Sequence, residues 1–194
     1  MWTATWFMSC LVGLFQPFMR LWVGEKLMFS DRIMVAFALY FFVQKIGEIQ
    51  EQYFAAAGLW WYRKWYYVAE AIANILLNLL LGYLWGVFGI VIATVLSIFF
   101  INFLGASRII FQQYFKTGFY RYIFDQIKWL AIACVISTVI YFITASFKLS
   151  SGIADLLIKG LICIVLPNCI ILLFTYKTRL FSTAYRWLTI RLKK

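Results

Sequence analysis

An all-α integral membrane protein with six transmembrane helices is the fold class this sequence predicts. Three observations carry that expectation. Of 194 residues, 65% are apolar and only 13% charged. The mean hydropathy is +0.88, and long runs free of charge recur along the chain. Soluble domains hold about 45–50% apolar and about 25% charged residues. A soluble fold of this size leaves roughly 30% of its unfolded surface in water, too little interior to hide the excess. The composition equally excludes a disordered chain. The bilayer is therefore the solvent for most of it.

A spanning helix needs about 20 mostly apolar residues. Residues 1–19 contain no charge and lead through Pro17 into an interfacial ending at Arg20, Trp22, Glu25 and Lys26. The second span opens at Ile33 and is apolar to Val43. It then continues past Lys45, Glu48 and Glu51 on a helical pattern to Gly58. The third span covers 65–85 and the fourth 86–106, with Gly82, Gly86 and Gly89 at the short turn of a helical hairpin. The fifth covers 129–147 and the sixth 161–176. There Pro167 predicts a kink, with Asn168 meeting the freed carbonyl. Residues 177–194 space Leu180, Phe181, Ala184, Trp187, Leu188 and Arg191 as a basic amphipathic helix on the inner leaflet. The chain thus divides into a four-helix part (1–106), a cytoplasmic connection (107–128), two terminal helices (129–176) and a basic tail (177–194).

The basic residues orient the bundle. Numbering the connections alternately puts Arg20, Lys26, Arg32, Lys148 and Lys159 on one side, five in all. The other side holds twelve: Arg63, Lys64, Arg108, Lys116, Arg121, Lys128 and the six cations of the tail. The positive-inside rule places the richer side, and both chain ends, in the cytoplasm. No Lys or Arg precedes Arg20, so the basic start of a secretory signal is missing. The chain reads as the tail of a longer protein. Its net charge of +11 suits anionic lipid at the loops rather than nucleic acid.

The same counts exclude most catalytic chemistry. Histidine is absent, and the four cysteines lie in apolar runs without C-x-x-C spacing. No zinc site or disulfide framework is indicated. There is no nucleophile triad and no glycine-rich phosphate loop, and 107–128 is too short for a catalytic domain. A protein with no enzymatic activity, no cofactor and no metal is expected.

Ionisable groups inside a span cost about 2.5–3.5 kcal/mol each, so each needs a reason. Gln44, Lys45, Glu48, Glu51 and Gln52 fall on one side of the second helix, with Lys45 and Glu48 spaced to pair. Glu70, Asn74 and Asn78 repeat every four residues as one stripe on the third. Two readings stay open for each set. The Asn stripe suits hydrogen bonds between helices or the wall of a water-filled cavity. The charged set lines a cavity, or its half of the helix protrudes into water. Thr94, Ser97 and Asn102 are milder polar groups on the fourth span. The tryptophans fall near span ends, as interfacial anchors do; stacking of a sugar on Trp60 or Trp61 is the alternative.

Four elements in order resemble a known family. Gln16-Pro-Phe-Met-Arg-Leu-Trp-Val-Gly24 closes one helix and Ala55-Ala-Ala-Gly-Leu59 the next. Asn74-Ile-Leu-Leu-Asn78 is then followed by Gly86-Val-Phe-Gly-Ile-Val-Ile-Ala-Thr94. This pattern over residues 1–115 resembles Wzx-type oligosaccharide flippases of the multidrug/oligosaccharidyl-lipid/polysaccharide (MOP) exporter superfamily. The resemblance implies about fourteen helices in two lobes, with this chain matching the last six and the N-terminal lobe missing. It implies a bacterial inner-membrane transporter that moves a lipid-linked oligosaccharide, on polyprenyl diphosphate, for surface polysaccharide or O-antigen synthesis. Lys45 is then the cationic candidate in the pathway, with Arg63 and Lys64 at its inner mouth. Glu48, Glu51 and Glu70 would pair with them or bind a coupling ion, and Asn74 and Asn78 would meet sugar hydroxyls. A cation-coupled multidrug exporter of the same superfamily is the nearest alternative. A polysaccharide polymerase or ligase and a non-transporting scaffold are further ones.

Overall fold

The computed structural model describes residues 1–147, 152–176, 181 and 183. Among them the chain forms six long helices and no strand. These are α1 (Trp2–Trp22), α2 (Asp31–Ala57), α3 (Trp60–Trp85), α4 (Val87–Phe115), α5 (Phe119–Ser146) and α6 (Gly152–Thr175). Five of them, α2 to α6, are long and apolar enough to cross a membrane. α1 has the length, at 21 residues, but not the hydropathy of the others. Its position supplies the reason. α1 packs against α2, α5 and α6, and it buries Ala4, Thr5, Ser9 and Gly13 in those contacts. A helix walled in by other helices gains from small residues that allow close approach, and needs less apolar surface than one facing lipid.

The opposite case is α3. It packs mainly on α4, and Arg63 is the one buried residue along its length. Ile75, Leu79 and Tyr83 stand 60%, 68% and 90% exposed. Water does not tolerate so continuous an apolar surface; hydrocarbon does.

Several helices outrun the apolar segments that announce them. The expected connection 107–128 is helical except at Lys116–Gly118, because α4 runs on to Phe115 and α5 starts at Phe119. Charges end an apolar run but not a helix, since Lys, Arg and Gln are good helix formers. For the same reason α6 begins at Gly152 rather than near Leu161. Lys159, expected in a loop, is buried inside α6 and paired with Asp155 at 2.7 Å, one turn away. Apart from Phe181 and Thr183, the expected tail helix 177–194 lies outside the described residues, as does Lys148.

Three apolar clusters join the helices. Met8, Val12, Met34, Phe42, Ile46, Phe103 and Ala133 bind α1, α2, α4 and α5 together. Phe54 meets Ala106, Ile109 and Ile110 where α2 ends beside α4. Ile136, Ile140, Cys163 and Ile171 close α5 on α6, with Trp2 and Trp6 packed against them.

Two local features fix the geometry of the site. Gly86 links α3 and α4 at φ 60°, ψ −139°, a region that residues with a Cβ essentially do not enter. At Gly89, a Cβ would fall onto the Leu81 carbonyl, so the hairpin closes backbone to backbone there. Pro167 in α6 removes the amide that would bond the Cys163 carbonyl. That carbonyl is taken by α1 instead, through Trp6 Nε1 at 3.0 Å and Cys10 Sγ at 3.4 Å. Asn168, expected to meet it, bonds the Ile164 carbonyl and accepts from Trp2 Nε1 at 2.6 Å. An i−4 side-chain bond reaches the carbonyl one residue past the freed one. Trp2 and Trp6 thus serve as donors between helices as well as ring anchors.

Candidate functional site

The polar groups of α3 and α4 form a ladder across the hairpin. In an antiparallel pair, residues equally far from the turn lie at the same height. Glu70 and Asn102 each stand sixteen positions from Gly86, and Asn102 Nδ2 donates to Glu70 Oε2 at 2.7 Å. One rung nearer the turn, Asn74 Nδ2 donates to Ser97 Oγ at 2.8 Å, and Asn78 Nδ2 to Asn74 Oδ1 at 2.7 Å. Ser97 Oγ passes the chain to the Thr94 carbonyl. The Asn74 bond crosses from α3 to α4, whereas the Asn78 bond stays within α3 and the Asn78 Oδ1 is buried without a partner.

Arg63 ends the ladder. It is 2% exposed, and its Nη2 donates to Asn102 Oδ1, so Asn102 bridges it to Glu70. The guanidinium lies 4.7 Å from the Phe54 ring centroid and 4.6 Å from that of Tyr67. Desolvated cation–π contacts of this kind contribute about 2 kcal/mol. Its Nε and Nη1 have no hydrogen-bond partner. Asn102 itself sits in a widened π-helical turn, Ile98–Phe103; such turns concentrate at functional positions. The Lys64 Nζ rests 3.2 Å from the Trp61 ring centroid.

The charged set of α2 lies elsewhere. Lys45 Nζ meets both Glu48 oxygens, at 2.6 and 2.8 Å. Their side chains are 39% and 46% exposed. Both line an open groove of about 560 Å³ with Gln52, Phe41 and Ile49 of α2, Thr3, Ala4 and Phe7 of α1, and Met1 just before α1. Glu51 is exposed, and with Glu70 it is near enough to act electrostatically on Arg63. The structure therefore brings Arg63 and Glu70 together through Asn102, ties Asn74 and Asn78 to Ser97 in a second set of bonds, and places Lys45 and Glu48 in a separate groove.

Sequence reasoning missed two groups. Gln50 is buried and bonds Ser107 Oγ at 2.6 Å, tying α2 to α4. Its Oε1 is unpartnered. At the opposite end of the bundle, Gln16, Arg20, Asp31, Tyr141, Asp155 and Lys159 line a polar cavity of about 550 Å³. There Asp31 accepts from Gln16 and Tyr141, both at 2.8 Å. The four-residue spacing of Asp155 and Lys159 was the available signal.

Among the described residues no group of three or more metal-binding side chains is found. Comparison of the chain with protein-family models, with curated proteins and with solved structures finds no match in any of the three. The class defined up to this point is an all-helical protein with five helices fit to span a membrane.

Proposed function

We propose that the chain, with α1 as its sixth span, is a six-span lobe of a membrane transporter that carries a lipid-linked oligosaccharide across the bacterial cytoplasmic membrane. The observation that carries this reading is the half-exposed Lys45–Glu48 pair in a groove on a helix long enough to span. Lipid against that groove would meet two charges, at a cost of about 2.5–3.5 kcal/mol each on insertion scales. The groove therefore faces water or a second lobe, as a transport passage between lobes requires. A sugar chain on a diphosphate is too polar to cross hydrocarbon unaided, and a wet passage with cations offsets that cost. The family resemblance supplies the cargo, the missing N-terminal lobe and the alternating access.

The charge asymmetry supports the orientation. Among the described residues, with the buried Lys159 and Arg63 set aside, Lys64, Arg108, Lys116, Arg121 and Lys128 on the side of the α4–α5 turn face Arg20, Lys26 and Arg32 on the other. Both chain ends then lie in the cytoplasm.

The test is complementation. In a strain lacking its own flippase, the protein carrying this chain is expected to restore surface polysaccharide. Lys45→Ala is expected to lower that restoration about tenfold at equal membrane abundance, with Lys45→Arg retaining most of it. Unchanged polysaccharide in Lys45→Ala would remove the cationic role. Dye efflux without any polysaccharide would replace the reading with that of a cation-coupled multidrug exporter.

A further inference from the structure

A groove of about 800 Å³ lies where α4 ends and α5 begins. Tyr66, Phe100, Leu104, Phe111, Phe119 and Ile123 form its apolar walls, and Arg108 and Lys116 stand at its rim. No Asp or Glu lines it. Among the described residues neither cation has an ion-pair partner. We infer that this groove is a binding site for the headgroup and upper acyl chain of an anionic phospholipid.

Depth, charge and shape agree on that occupant. α4 has 29 residues, about 43 Å at 1.5 Å per residue, against a hydrocarbon core of about 30 Å. Twenty residues from Val87 reach Ala106, so Arg108 and Lys116 come at headgroup level. Phe100 and Leu104 stand one to two turns deeper, among acyl chains. The groove is thus cationic at the depth of phosphate and apolar at the depth of the chain, the pattern of an amphiphile. Basic pockets between helices on the cytoplasmic side recruit anionic headgroups in this way. A free phosphate ion would leave the aromatic walls unused, which is why the lipid is the occupant. Lys116 adopts φ 62°, the only non-glycine residue described with positive φ, and so turns the chain back over the groove.

The inference rests on the membrane-spanning part of the proposed function and not on its cargo. Lipid retention and polysaccharide restoration are separate measurements, so either can fail alone. The experiment takes the full chain from vesicles of equal phosphatidylglycerol and phosphatidylcholine and counts retained lipid by native mass spectrometry. The expected result is a preference of about tenfold or more for one phosphatidylglycerol. It is lost in Arg108→Gln with Lys116→Asn; Asn tolerates the left-handed backbone. The preference is kept in Arg20→Gln with Lys26→Gln, which removes equal charge at the other end. Three results would overturn the inference: no preference in the unaltered chain, equal loss in the control pair, or displacement of the lipid by millimolar inorganic phosphate.

Discussion

Replacing Arg63 with Ala is expected to lower the unfolding free energy by about 3 kcal/mol, read as the denaturation midpoint of the purified chain in mild detergent. Three losses combine. The cation leaves the faces of Phe54 and Tyr67, Asn102 Oδ1 loses its donor, and Glu70 loses its nearby positive charge. Arg63→Lys is expected to recover less than half, because an ammonium cannot lie flat against two rings and also reach Asn102. A double-mutant cycle with Asn102→Ala separates these contributions. Neighbours in one network couple by about 0.5–3 kcal/mol, so additive effects would mean the ladder does not act as a unit. Because Arg63 supports the fold, its loss would lower transport through protein abundance, which Lys45→Ala does not.

Gly89→Ala is expected to have an effect of similar size, about 3 kcal/mol, by opening the hairpin. Most overpacked sites relax by turning a side chain. Here the new methyl meets the carbonyl of Leu81, so backbone must move. Separation of α3 from α4 there also pulls Asn74 from Ser97 about two turns further from Gly86, since that bond is set by the distance between the two helices. The measurement is again the unfolding midpoint. An unchanged value would show that the hairpin closes less tightly than described.

Much of this arrangement is legible in the sequence. Long apolar runs locate the helices, and glycines at 82, 86 and 89 locate the hairpin. The four-residue stripe of Glu70, Asn74 and Asn78 declares a polar face. Counting outward from Gly86 would have paired Glu70 with Asn102 as well, because equal distance from a turn means equal height. Helix ends were harder. Hydropathy registers the solvent around a residue, whereas helix formation depends on backbone bonds, so Arg108 and Lys159 stop one signal without stopping the other. The burial of Arg63 is not legible in the sequence for a related reason. Its burial depends on Phe54 of α2 arriving beside it, a contact no local pattern encodes. The fate of the Cys163 carbonyl likewise depends on α1, more than 150 positions away.

The account stands on water reaching one face of α2. In a chain with Cys10, Cys134, Cys163 and Cys169 replaced, single Lys45→Cys, Glu48→Cys, Ile75→Cys and Leu79→Cys variants are treated in membranes with a charged thiol reagent that does not enter hydrocarbon. Positions 45 and 48 are expected to label, and positions 75 and 79, on the lipid-facing side of α3, to stay unlabelled. Labelling at 45 and 48 no greater than at 75 and 79 would contradict the presence of a hydrated passage along α2.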